Sequence, residues 1–588
     1  MRKTSTDVRR TSSNYLRPLR TELHPRKVRF SSDTVHVDTT YSALPTATEI
    51  PKQLRTDVTY MPLPQGPYVQ DDLSMPPTTL KQALARPDGH MWKQAYDAEM
   101  SAMQSTKVFD VVQLPPGAKA IGCKLVFDRK RDGLSKVRLF AQGFSQRPGQ
   151  DYDIHDTFSP VVSWPTLRAF WAICAKEDLE MCQLDVTTAF LNAPLEEVIH
   201  MKLPPGFAAA SNAVLRLWKA LYGLKQANKQ WHKLLCTYLV AHGWTPSNAD
   251  PSLWILQDKS RVIAAFYVDD CQLAAKTPAA ADAIVASIMS WWPCKSMGEA
   301  SEFLNIHLVR DRAAKTLSAH QQPYIHRIIS KYGMTHQLPA LLPLPPSVHI
   351  TADGPDMGEL LPDGNLYGSV VGSLMHLVVC TRPELAFSAG LLARHLKAPR
   401  EAHWGAAVHV LRFVKGTSTH AITWGLDDGM GGWCAASYQR GPQNRSTTGY
   451  VFTLYGGTVS WQSKLQATTA LSTCEAEYQA SGAAGREAIW LCKLLPDLGY
   501  TPNTPIVIQG DNQAALALLR DRRLTSLSKH IETISWRVQQ WIEAGLLKFT
   551  YVKSQENWAD ILTKALPRPA HTLCTQRIRI APLQSLQV

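Results

Sequence analysis

The sequence predicts a multidomain protein of mixed α/β (α+β) class, and three observations support this. Its 588 residues correspond to three or four domains at roughly 150 residues per domain. Hydrophobic residues make up 45% of the chain and charged residues 19%, so there is ample apolar material to form cores. Hydrophobic periods typical of helices alternate with periods typical of strands, and no internal repeat is visible.

The composition also bears on partners and location. Lys and Arg total 62 against 49 Asp and Glu, a net charge of +13, which favours a polyanionic partner. The 11 cysteines are scattered without C-x-x-C pairs or zinc-ligand spacing, which predicts a reduced, intracellular protein of the cytoplasm or nucleus. Among the longest apolar runs, residues 262–268 are far shorter than the roughly 18 to 20 residues of a membrane span, so no membrane segment is expected.

Residues 1–75 are rich in Pro, Thr, Ser and Asp and show no sustained periodicity. They predict a basic, mostly disordered arm. The first 30 residues are rich in Arg, Ser and Thr and lack an apolar core, so we expect no secretory signal. A mitochondrial transit peptide fits the same composition and stays open as the less favoured alternative to a disordered linker.

Ordered elements are expected from Thr78 onward. Apolar side chains then recur at three- and four-residue steps, which predicts an amphipathic helix with one buried stripe, formed by Trp92, Tyr96, Met100 and Met103. Residues 121–144 have strand character and carry Asp132-Gly133 at the turn of a hairpin. Farther along, the pattern predicts a helical stretch at residues 214–244 and a strand pair at residues 261–277.

After residue 276 the pattern predicts helices separated by Pro-rich breaks. Residues 338–347 (LPALLPLPPS) predict a linker between lobes. Helical patterns follow at residues 383–396 and 403–414. From about residue 420 the order strand, strand, helix, strand, helix predicts a separate α/β domain.

Three carboxylates form a candidate catalytic group. Asp269 and Asp270 follow an apolar strand and precede another, so they are expected at the tip of a hairpin. Adjacent acids at a turn are usually solvated turn formers, but Asp185 ends another strand-like run and can lie beside them. Nucleotidyl transfer uses two divalent metals about 4 Å apart, and hard Mg²⁺ binds carboxylate oxygens from different strands. The sequence therefore indicates a possible two-metal site.

The residues around these acids resemble the reverse transcriptase of copia-type long-terminal-repeat retrotransposons. The resemblance rests on five motifs in the family's order, HMWKQAYDAEM, DTFSPVVSWPTLRAF, QLDVTTAFLNAPLEEVIHM, LWKALYGLKQANKQW and FYVDD. It covers nearly the whole chain from about residue 85 onward. An active element would also carry capsid, protease and integrase parts, and no Asp-Thr-Gly or Asp-Ser-Gly protease motif occurs here. The chain is therefore expected to be a fragment of a polyprotein.

The resemblance implies roles for individual residues. Asp185 and Asp269 match the family's main ligands for Mg²⁺ (or Mn²⁺), and Asp270 matches the second acid of the Tyr-x-Asp-Asp box, whose Tyr267 is expected to contact nucleic acid. Phe190 matches the bulky side chain that rejects a 2′-hydroxyl, although it is also explained as a core aromatic. The segment under the templating base pair and its dNTP is matched by Tyr222, Gly223, Leu224, Lys225 and Gln226, with Gln226 expected to contact nucleic acid. Where the family continues with Pro and Arg, this chain has Asn228 and Lys229.

Basic side chains on the predicted hairpin are expected to neutralise the triphosphate of a dNTP. The hairpin occupies the place of the family's fingers and carries Lys124, Lys130, Arg131 and Arg138. Solvated surface charge is an equally good explanation for any one of them, so the prediction concerns the group.

The C-terminal sequence resembles the ribonuclease H domain that follows reverse transcriptase in these elements. Its motifs are NRSTTGYVFTLYGGTVSWQSKLQ, LSTCEAEYQA, IQGDNQAAL and ENWADILTKAL. Glu477, Asp511 and Asp560 match three of the four metal-binding acids, but the family's Asp-Ala-Asp-Trp falls on residues 434–437, so Cys434 replaces the central acid and Ala436 the other. A thiol is a poor ligand for Mg²⁺. This predicts a folded but inactive or strongly weakened ribonuclease H.

Two hypotheses follow. In the first, the chain is an RNA- and DNA-directed DNA polymerase with an RNA template, a DNA primer, RNA/DNA hybrids and dNTPs as partners. In the second, it is a non-catalytic nucleic-acid-binding remnant. The resemblance implies a right-hand polymerase with fingers and palm at residues 76–335, a thumb or connection with the Pro-rich linker at 336–420, and a ribonuclease H-like domain at 421–588. The oligomeric state is left open.

Overall fold

A computed structural model describes residues 76–583, with gaps at residues 130–132, 156, 211, 257–260, 349, 352–354, 428, 439–443, 503 and 521–531. Helices and strands are mixed along the chain, which confirms the predicted fold class. Within the described ranges, no helix has both the length and the hydropathy needed to cross a bilayer. The predicted arm at residues 1–75 and the predicted turn residue Asp132 lie outside the described residues.

The α-helices, in chain order, are α1 Leu80–Ala85, α2 Gly89–Ser105, α3 Trp164–Lys176, α4 Ala227–Ala241, α5 Pro278–Trp291, α6 Gln322–Lys331, α7 Gly364–Cys380, α8 Ala386–Ala393, α9 Glu401–Gly416, α10 Thr473–Asp497, α11 Gln513–Arg520, α12 Glu532–Glu543 and α13 Arg568–Arg577.

The strands are β1 Phe109–Gln113, β2 Ala120–Ile121, β3 Cys123–Arg129, β4 Ser135–Ala141, β5 Glu180–Val186, β6 Pro194–Lys202, β7 Ala213–Lys219, β8 Trp244–Pro246, β9 Leu253–Leu256, β10 Val262–Tyr267, β11 Asp270–Ala275, β12 Cys294–Glu299, β13 Glu302–Phe303, β14 Ile306–Asp311, β15 Thr316–His320, β16 His420–Trp424, β17 Met430–Ser437, β18 Thr447–Leu454, β19 Gly457–Leu465, β20 Ile506–Gly510, β21 Leu547–Tyr551 and β22 Ile580–Pro582.

The first helical region is divided in two. Arg86 ends α1 with an extended backbone (ψ 158°), because the residue before a proline disfavours the helical conformation. The helix resumes as α2, whose buried stripe is the predicted one, Trp92, Tyr96, Met100 and Met103. This stripe packs against the β3–β4 hairpin, where the rings of Trp92 and Phe127 meet edge to face at 5.8 Å.

A six-stranded sheet carries the predicted acids. Its order is β12-β5-β11-β10-β9-β8, and its neighbouring strands are antiparallel. All but the last residue of β10 are buried, as expected for a central strand covered on both faces. Helix α3 packs on this sheet, and its Trp171 donates a hydrogen bond of 2.7 Å from Nε1 to Gln272 Oε1 on β11.

The predicted helical stretch at residues 214–244 is partly wrong. Its first residues form β7, which pairs with β1 and β6 in a four-stranded sheet of order β1-β7-β6-β2. The helix α4 begins only at Ala227. The apolar residues before it alternate with Arg216 and Trp218 and bury one face of a strand.

A five-stranded sheet joins distant parts of the chain. Its order is β13-β14-β15-β16-β22, so strands between residues 302 and 320 pair with residues 420–424, which in turn pair with residues 580–582. The sheet thus takes strands from both sides of the boundaries predicted at residues 335/336 and 420/421. Those boundaries do not separate self-contained sheets.

Residues 338–347 are not a free linker, contrary to the prediction. The side chains of Ala340 and Leu344 are buried. On the neighbouring helix α9, Arg412 Nε donates a hydrogen bond of 2.7 Å to the Leu338 carbonyl. The segment therefore packs against α9.

We define the C-terminal domain as the sheet β19-β18-β17-β20-β21 with helices α10 to α13. Its first three strands are antiparallel, whereas β17, β20 and β21 are parallel. From residue 420 the observed order has four strands, β16 to β19, before α10 and two strands, β21 and β22, after α12, so the sequence pattern missed two strands on each side. The order matches a ribonuclease H-like α/β domain.

Candidate active sites

The turn between β10 and β11 presents two adjacent carboxylates, Asp269 and Asp270. Val268 in this turn has a left-handed backbone (φ 59°), which is unusual for a β-branched residue. Its carbonyl accepts a hydrogen bond of 2.7 Å from Trp231 Nε1 on α4. The Val186 N–H donates to the Asp269 carbonyl at 2.9 Å. The turn is therefore held by both α4 and the end of β5.

Asp185 completes the group of acids. It lies on β5 directly opposite Asp270 on β11, and on its other side it lies directly opposite Lys295 on β12. Cross-strand partners project from the same face of a sheet. One face therefore carries a row of Asp270, Asp185 and Lys295, with Asp269 at the adjacent turn. The structure brings together the three acids that the sequence singled out and adds a cation that it missed.

Burial and neighbouring charges raise the pKa of Asp269 and of Asp270. Burial, followed by the charges of Asp269 and Asp185, raises the pKa of Asp270 to about 7. Burial and the Asp185 charge also raise the pKa of Asp269, and the charges of Arg138 and Lys136 offset part of this. Crowded, half-buried carboxylates of this kind are stabilised in their ionised form by a bound cation.

The donor set fits a hard divalent metal, since it consists of carboxylate oxygens on neighbouring strands. Across the part of the chain that the structure describes, no group of three or more His, Cys, Asp or Glu side chains already has the spacing of a metal site.

Aromatic side chains border the acids. Phe190 lies in the short 3₁₀ helix Ala189–Asn192 after β5, and its ring meets that of Tyr222 edge to face at 4.8 Å. The Tyr222 ring also lies 5.4 Å from that of Phe140 on β4. Gly223 has φ 91°, and a Cβ there would lie 2.1 Å from the Ala141 carbonyl oxygen. Only glycine permits this close approach of the 222–225 segment to the hairpin.

Cations on the β3–β4 hairpin face the same side. The Arg138 guanidinium lies 5.9 Å from the centre of the Tyr222 ring. Lys124 is paired with Phe140, and Val126 with Arg138, so Lys124 and Arg138 share one face of the hairpin. The opposite face is buried against α2. Two of the predicted triphosphate-binding cations thus lie on the side of the hairpin that borders the acids.

For four other predicted contact residues, the structure does not show which side chains face the acids. Lys130 and Arg131 lie outside the described residues. Tyr267 and Lys225 are half-buried, and their contacts with nucleic acid and dNTP stay predictions.

The structure does not support the predicted nucleic-acid contact of Gln226. Its side chain is 1% exposed, and its amide donates to the Asp151 carbonyl at 3.0 Å and to Glu197 Oε2 at 3.1 Å. Its Oε1 accepts from Gln146 Nε2 at 3.0 Å, and Gln146 Oε1 accepts from the Lys225 N–H at 2.8 Å. Gln226 therefore holds the 222–225 segment in place through Gln146.

The C-terminal domain contains a second group of acids, each from a different element. Glu477 lies on α10, Asp511 directly follows β20, and Asp560 lies in the 3₁₀ helix Trp558–Leu562. Burial, with contributions from the charges of Asp511 and Asp560, raises the pKa of Glu477 to about 8, although the Ala436 N–H donates to its carboxylate. The structure thus places the three predicted acids close enough to interact.

Cys434 lies among these acids. It is on β17 opposite Tyr450, its side chain is 1% exposed, and its Sγ lies 3.6 Å from Ser481 Oγ. Burial raises the pKa of the thiol to about 12, and the charges of Glu477 and Asp511 act in the same direction. The thiol is therefore protonated at neutral pH and offers neither the charge nor the oxygen that Mg²⁺ prefers.

The strand register leaves Cys434 at this position. A shift of the strand by about six residues could bring the upstream acids Asp427 and Asp428 to this position. No such shift is observed, because every residue of β17, from Met430 to Ser437, pairs with a residue of β18. Asp427 instead lines a cavity of about 440 Å³ between β17 and α13. Asp428 lies outside the described residues.

Two further residues of this site were missed from the sequence. Asn557 Nδ2 donates to Asp511 Oδ1 at 3.1 Å and to the Cys434 carbonyl at 2.9 Å. Lys564 Nζ lies 2.8 Å from Asp560 Oδ2. Both residues belong to the motif ENWADILTKAL, where the spacing of Lys564 four residues after Asp560 was the available signal.

Comparison with known proteins shows which families the chain resembles. Residues 106–346 match the family described as Reverse transcriptase (RNA-dependent DNA polymerase). The chain is 34% identical over 531 residues to the Retrovirus-related Pol polyprotein from transposon TNT 1-94 of Nicotiana tabacum, an alignment that covers 88% of this chain and 40% of the relative. It is 32% identical over 501 residues to the corresponding polyprotein from transposon RE2 of Arabidopsis thaliana, covering 83% and 34%.

Among solved structures, the foamy viral protease-reverse transcriptase in complex with an RNA/DNA hybrid aligns with a TM-score of 0.45 and 12% identity, covering 79% of this chain and 54% of that chain. The chain spans well under half the length of the two curated relatives. Residues 106–346 thus match the model of the reverse transcriptase family, and the chain is similar to retrotransposon Pol polyproteins, in agreement with the resemblance to copia-type elements.

Proposed function

We propose that this chain is an RNA- and DNA-directed DNA polymerase of a copia-type retrotransposon. The observation that carries the proposal is the row of Asp270 and Asp185 on adjacent strands, with Asp269 at the turn beside them. In the proposed reaction the 3′-hydroxyl of a DNA primer attacks the α-phosphate of a dNTP, and pyrophosphate leaves. An RNA or DNA template directs the choice of dNTP.

Asp185 and Asp269 are the residues that would hold divalent metal, Mg²⁺ or Mn²⁺, with Asp270 beside them. Bound divalent ions supply charge neutralisation and hold the attacking and leaving oxygens in line. Lys295, opposite Asp185, supplies a fixed positive charge on the same face. It reduces the repulsion between the acids and the incoming triphosphate.

The surroundings of the acids provide binding contacts in this proposal. Lys124 and Arg138 are proposed to contact the triphosphate, since both lie on the hairpin face that meets the Tyr222 ring. Phe190 is proposed to lie against the sugar, where its ring rejects a 2′-hydroxyl. The edge-to-face contact of Phe190 with Tyr222 restricts the ring to one position.

We further propose that the ribonuclease H activity of the C-terminal domain is absent or strongly weakened. Glu477, Asp511 and Asp560 remain, but the buried neutral thiol of Cys434 stands where the family has an acid. Loss of one hard ligand weakens the binding of Mg²⁺. The net charge of +13 still supports binding of nucleic acid, with affinity that falls as salt concentration rises.

Primer extension tests the proposal. The purified chain is given an oligo(dT) primer on a poly(rA) template with dTTP and Mg²⁺, beside the variant Asp269→Asn and the matched control Asp97→Asn, which changes an exposed acid on α2. We expect extension by the wild type and the control, and a loss of roughly 10²- to 10³-fold or more in Asp269→Asn. A folded wild-type chain that binds the hybrid without extending the primer would instead support the non-catalytic remnant.

A further inference from the structure

We propose that the C-terminal domain has a second, non-catalytic function: it is a structural support that fixes helix α3 beneath the β10–β11 hairpin and its acids. The proposal rests on contacts that are separate from the ribonuclease H-like site. It goes beyond the proposed polymerase function, because it assigns a role to a domain whose own activity we expect to be weak.

Arg168 on α3 is the centre of these contacts. Its side chain is 3% exposed, and its guanidinium donates to three backbone carbonyls: Nε to Val459 at 2.7 Å, and Nη1 to Val379 at 2.8 Å and to Cys380 at 3.0 Å. Val459 belongs to β19 of the C-terminal domain, whereas Val379 and Cys380 end α7. One buried cation therefore connects three separate parts of the chain.

Backbone carbonyls accept the hydrogen bonds of the Arg168 guanidinium, and the nearby charge of Glu487 also favours its charged form. The carbonyls at the end of α7 lie at the negative end of that helix. The guanidinium also lies 3.7 Å from the centre of the Trp461 ring on β19, a favourable cation–π position. Trp461 Nε1 in turn donates to the Val378 carbonyl at 3.1 Å. Removal of Arg168 would leave these carbonyls buried without their donor.

A second set of contacts joins the same parts at a distance from Arg168. Trp490 Nε1 on α10 donates to the Ala249 carbonyl at 3.0 Å. Arg261, just before β10, donates from Nη2 to the Leu498 carbonyl and pairs with Glu177 at 2.9 Å. Trp490 and Leu498 lie near the C-terminal end of α10, whereas Glu477 lies near its N-terminal end. The support and the ribonuclease H-like site therefore use different ends of the helix.

The support is connected to the acids through α3. Trp171, three residues after Arg168, donates from Nε1 to Gln272 Oε1 on β11, two residues after Asp270. The Trp171 ring also lies 6.0 Å from that of Trp424 on β16. A shift of α3 would therefore move β11 and the acid that it carries. Arg168 is in this sense a positioning residue for the polymerase site.

Hydrogen exchange and kinetics on the full chain test the proposal. Arg168→Met removes the donor, Arg168→Lys keeps the charge, and Trp490→Phe removes one N–H while keeping the ring. The controls Arg577→Met and Trp218→Phe change residues that are exposed. We expect Arg168→Met to raise exchange at least about tenfold in both α3 and β19, and Trp490→Phe to raise it in α10 and residues 247–256. Arg168→Lys should fall between wild type and Arg168→Met.

Primer extension by the same variants separates positioning from general damage. We expect kcat to fall at least about fivefold in Arg168→Met, with KM for dNTP nearly unchanged because the hairpin cations are untouched. Higher exchange in only one of the two regions, or no change in kcat, would overturn the proposal. If Arg168→Met does not fold, the milder Trp490→Phe decides by the exchange criterion. A wild-type chain without extension would count against the proposed function, while the exchange results would still decide the support.

Discussion

The proposed polymerase site and the proposed ribonuclease H site both group buried acids, and they differ at one strand position. Each places a carboxylate where burial and neighbouring acids raise the pKa, to about 7 for Asp270 and about 8 for Glu477. In the first site the neighbouring strand contributes another acid, Asp185. In the second, the strand position contributes the protonated thiol of Cys434. The comparison shows that a strand position beside buried acids can hold a neutral thiol while the strand stays fully paired with its neighbour.

The first test of this difference removes an acid from each site. Asp185→Asn should lower primer extension by roughly 10³-fold, because it removes a metal ligand opposite Asp270. Glu477→Gln should change cleavage of an RNA/DNA hybrid little, because that site already lacks an acid. Both rates are measured with labelled hybrid under identical conditions. Equal losses in the two activities would show that the C-terminal site is intact.

The second test restores an acid to the C-terminal site. Cys434→Asp should raise Mg²⁺-dependent cleavage of the RNA strand by roughly 10²-fold or more, since it restores an oxygen ligand beside Glu477 and Asp511. Cys434→Ser is the control, because a hydroxyl adds no negative charge. Cleavage by the wild type as fast as by Cys434→Asp would contradict the assignment of Cys434 as the defect.

A smaller effect is expected at the sugar side of the polymerase site. Phe190→Val should raise incorporation of ribonucleotides relative to deoxyribonucleotides by about 10- to 100-fold, because a smaller side chain leaves room for the 2′-hydroxyl. The ratio of kcat/KM for rTTP and dTTP on the same primer measures this. Phe127→Val, which changes a buried aromatic on the other face of the hairpin, is the control. An unchanged ratio would favour a purely structural role for Phe190.

The smallest effect is expected at the hairpin. Arg138→Gln should raise the KM for dNTP by about tenfold with a smaller change in kcat, since one charge-assisted hydrogen bond contributes about 1.5–3 kcal/mol. Lys548→Gln on β21, an exposed cation of the C-terminal domain, is the control for net charge. If both variants raise KM equally, general electrostatic attraction and not a specific contact explains the effect.

The acids were predictable because each follows or begins a clear strand. Asp185 and Asp270 lie at strand ends, and their pairing follows once the hairpin is placed beside β5. Lys295 was missed because β12 is almost wholly exposed, so its residues show no alternation of apolar and polar side chains. The structural role of Gln226 was missed because its motif indicated contact with nucleic acid. In the structure its side-chain amide is instead bonded within a buried network that involves Gln146 and Asp151.

The errors in the fold come from long-range pairing. Residues 214–219 are too few for their mixed apolar and basic pattern to distinguish helix from strand, and the pairing of β7 with β1 and β6 decides between them. The boundary predicted at residue 420/421 follows from the local pattern of strands and helices. It does not reveal that β16 pairs with β15, about 100 residues earlier, and with β22 near residue 580. Local periodicity carries no information on such partners.

One measurement tests the central claim most directly. A single RNA template annealed to a DNA primer, with both strands labelled, is incubated with the full chain, dNTPs and Mg²⁺, and extension of the primer and cleavage of the RNA are followed together. The account predicts extension with little or no cleavage, loss of extension in Asp185→Asn, and appearance of cleavage in Cys434→Asp. Cleavage without extension, or neither activity in a folded chain that binds the hybrid, would contradict it.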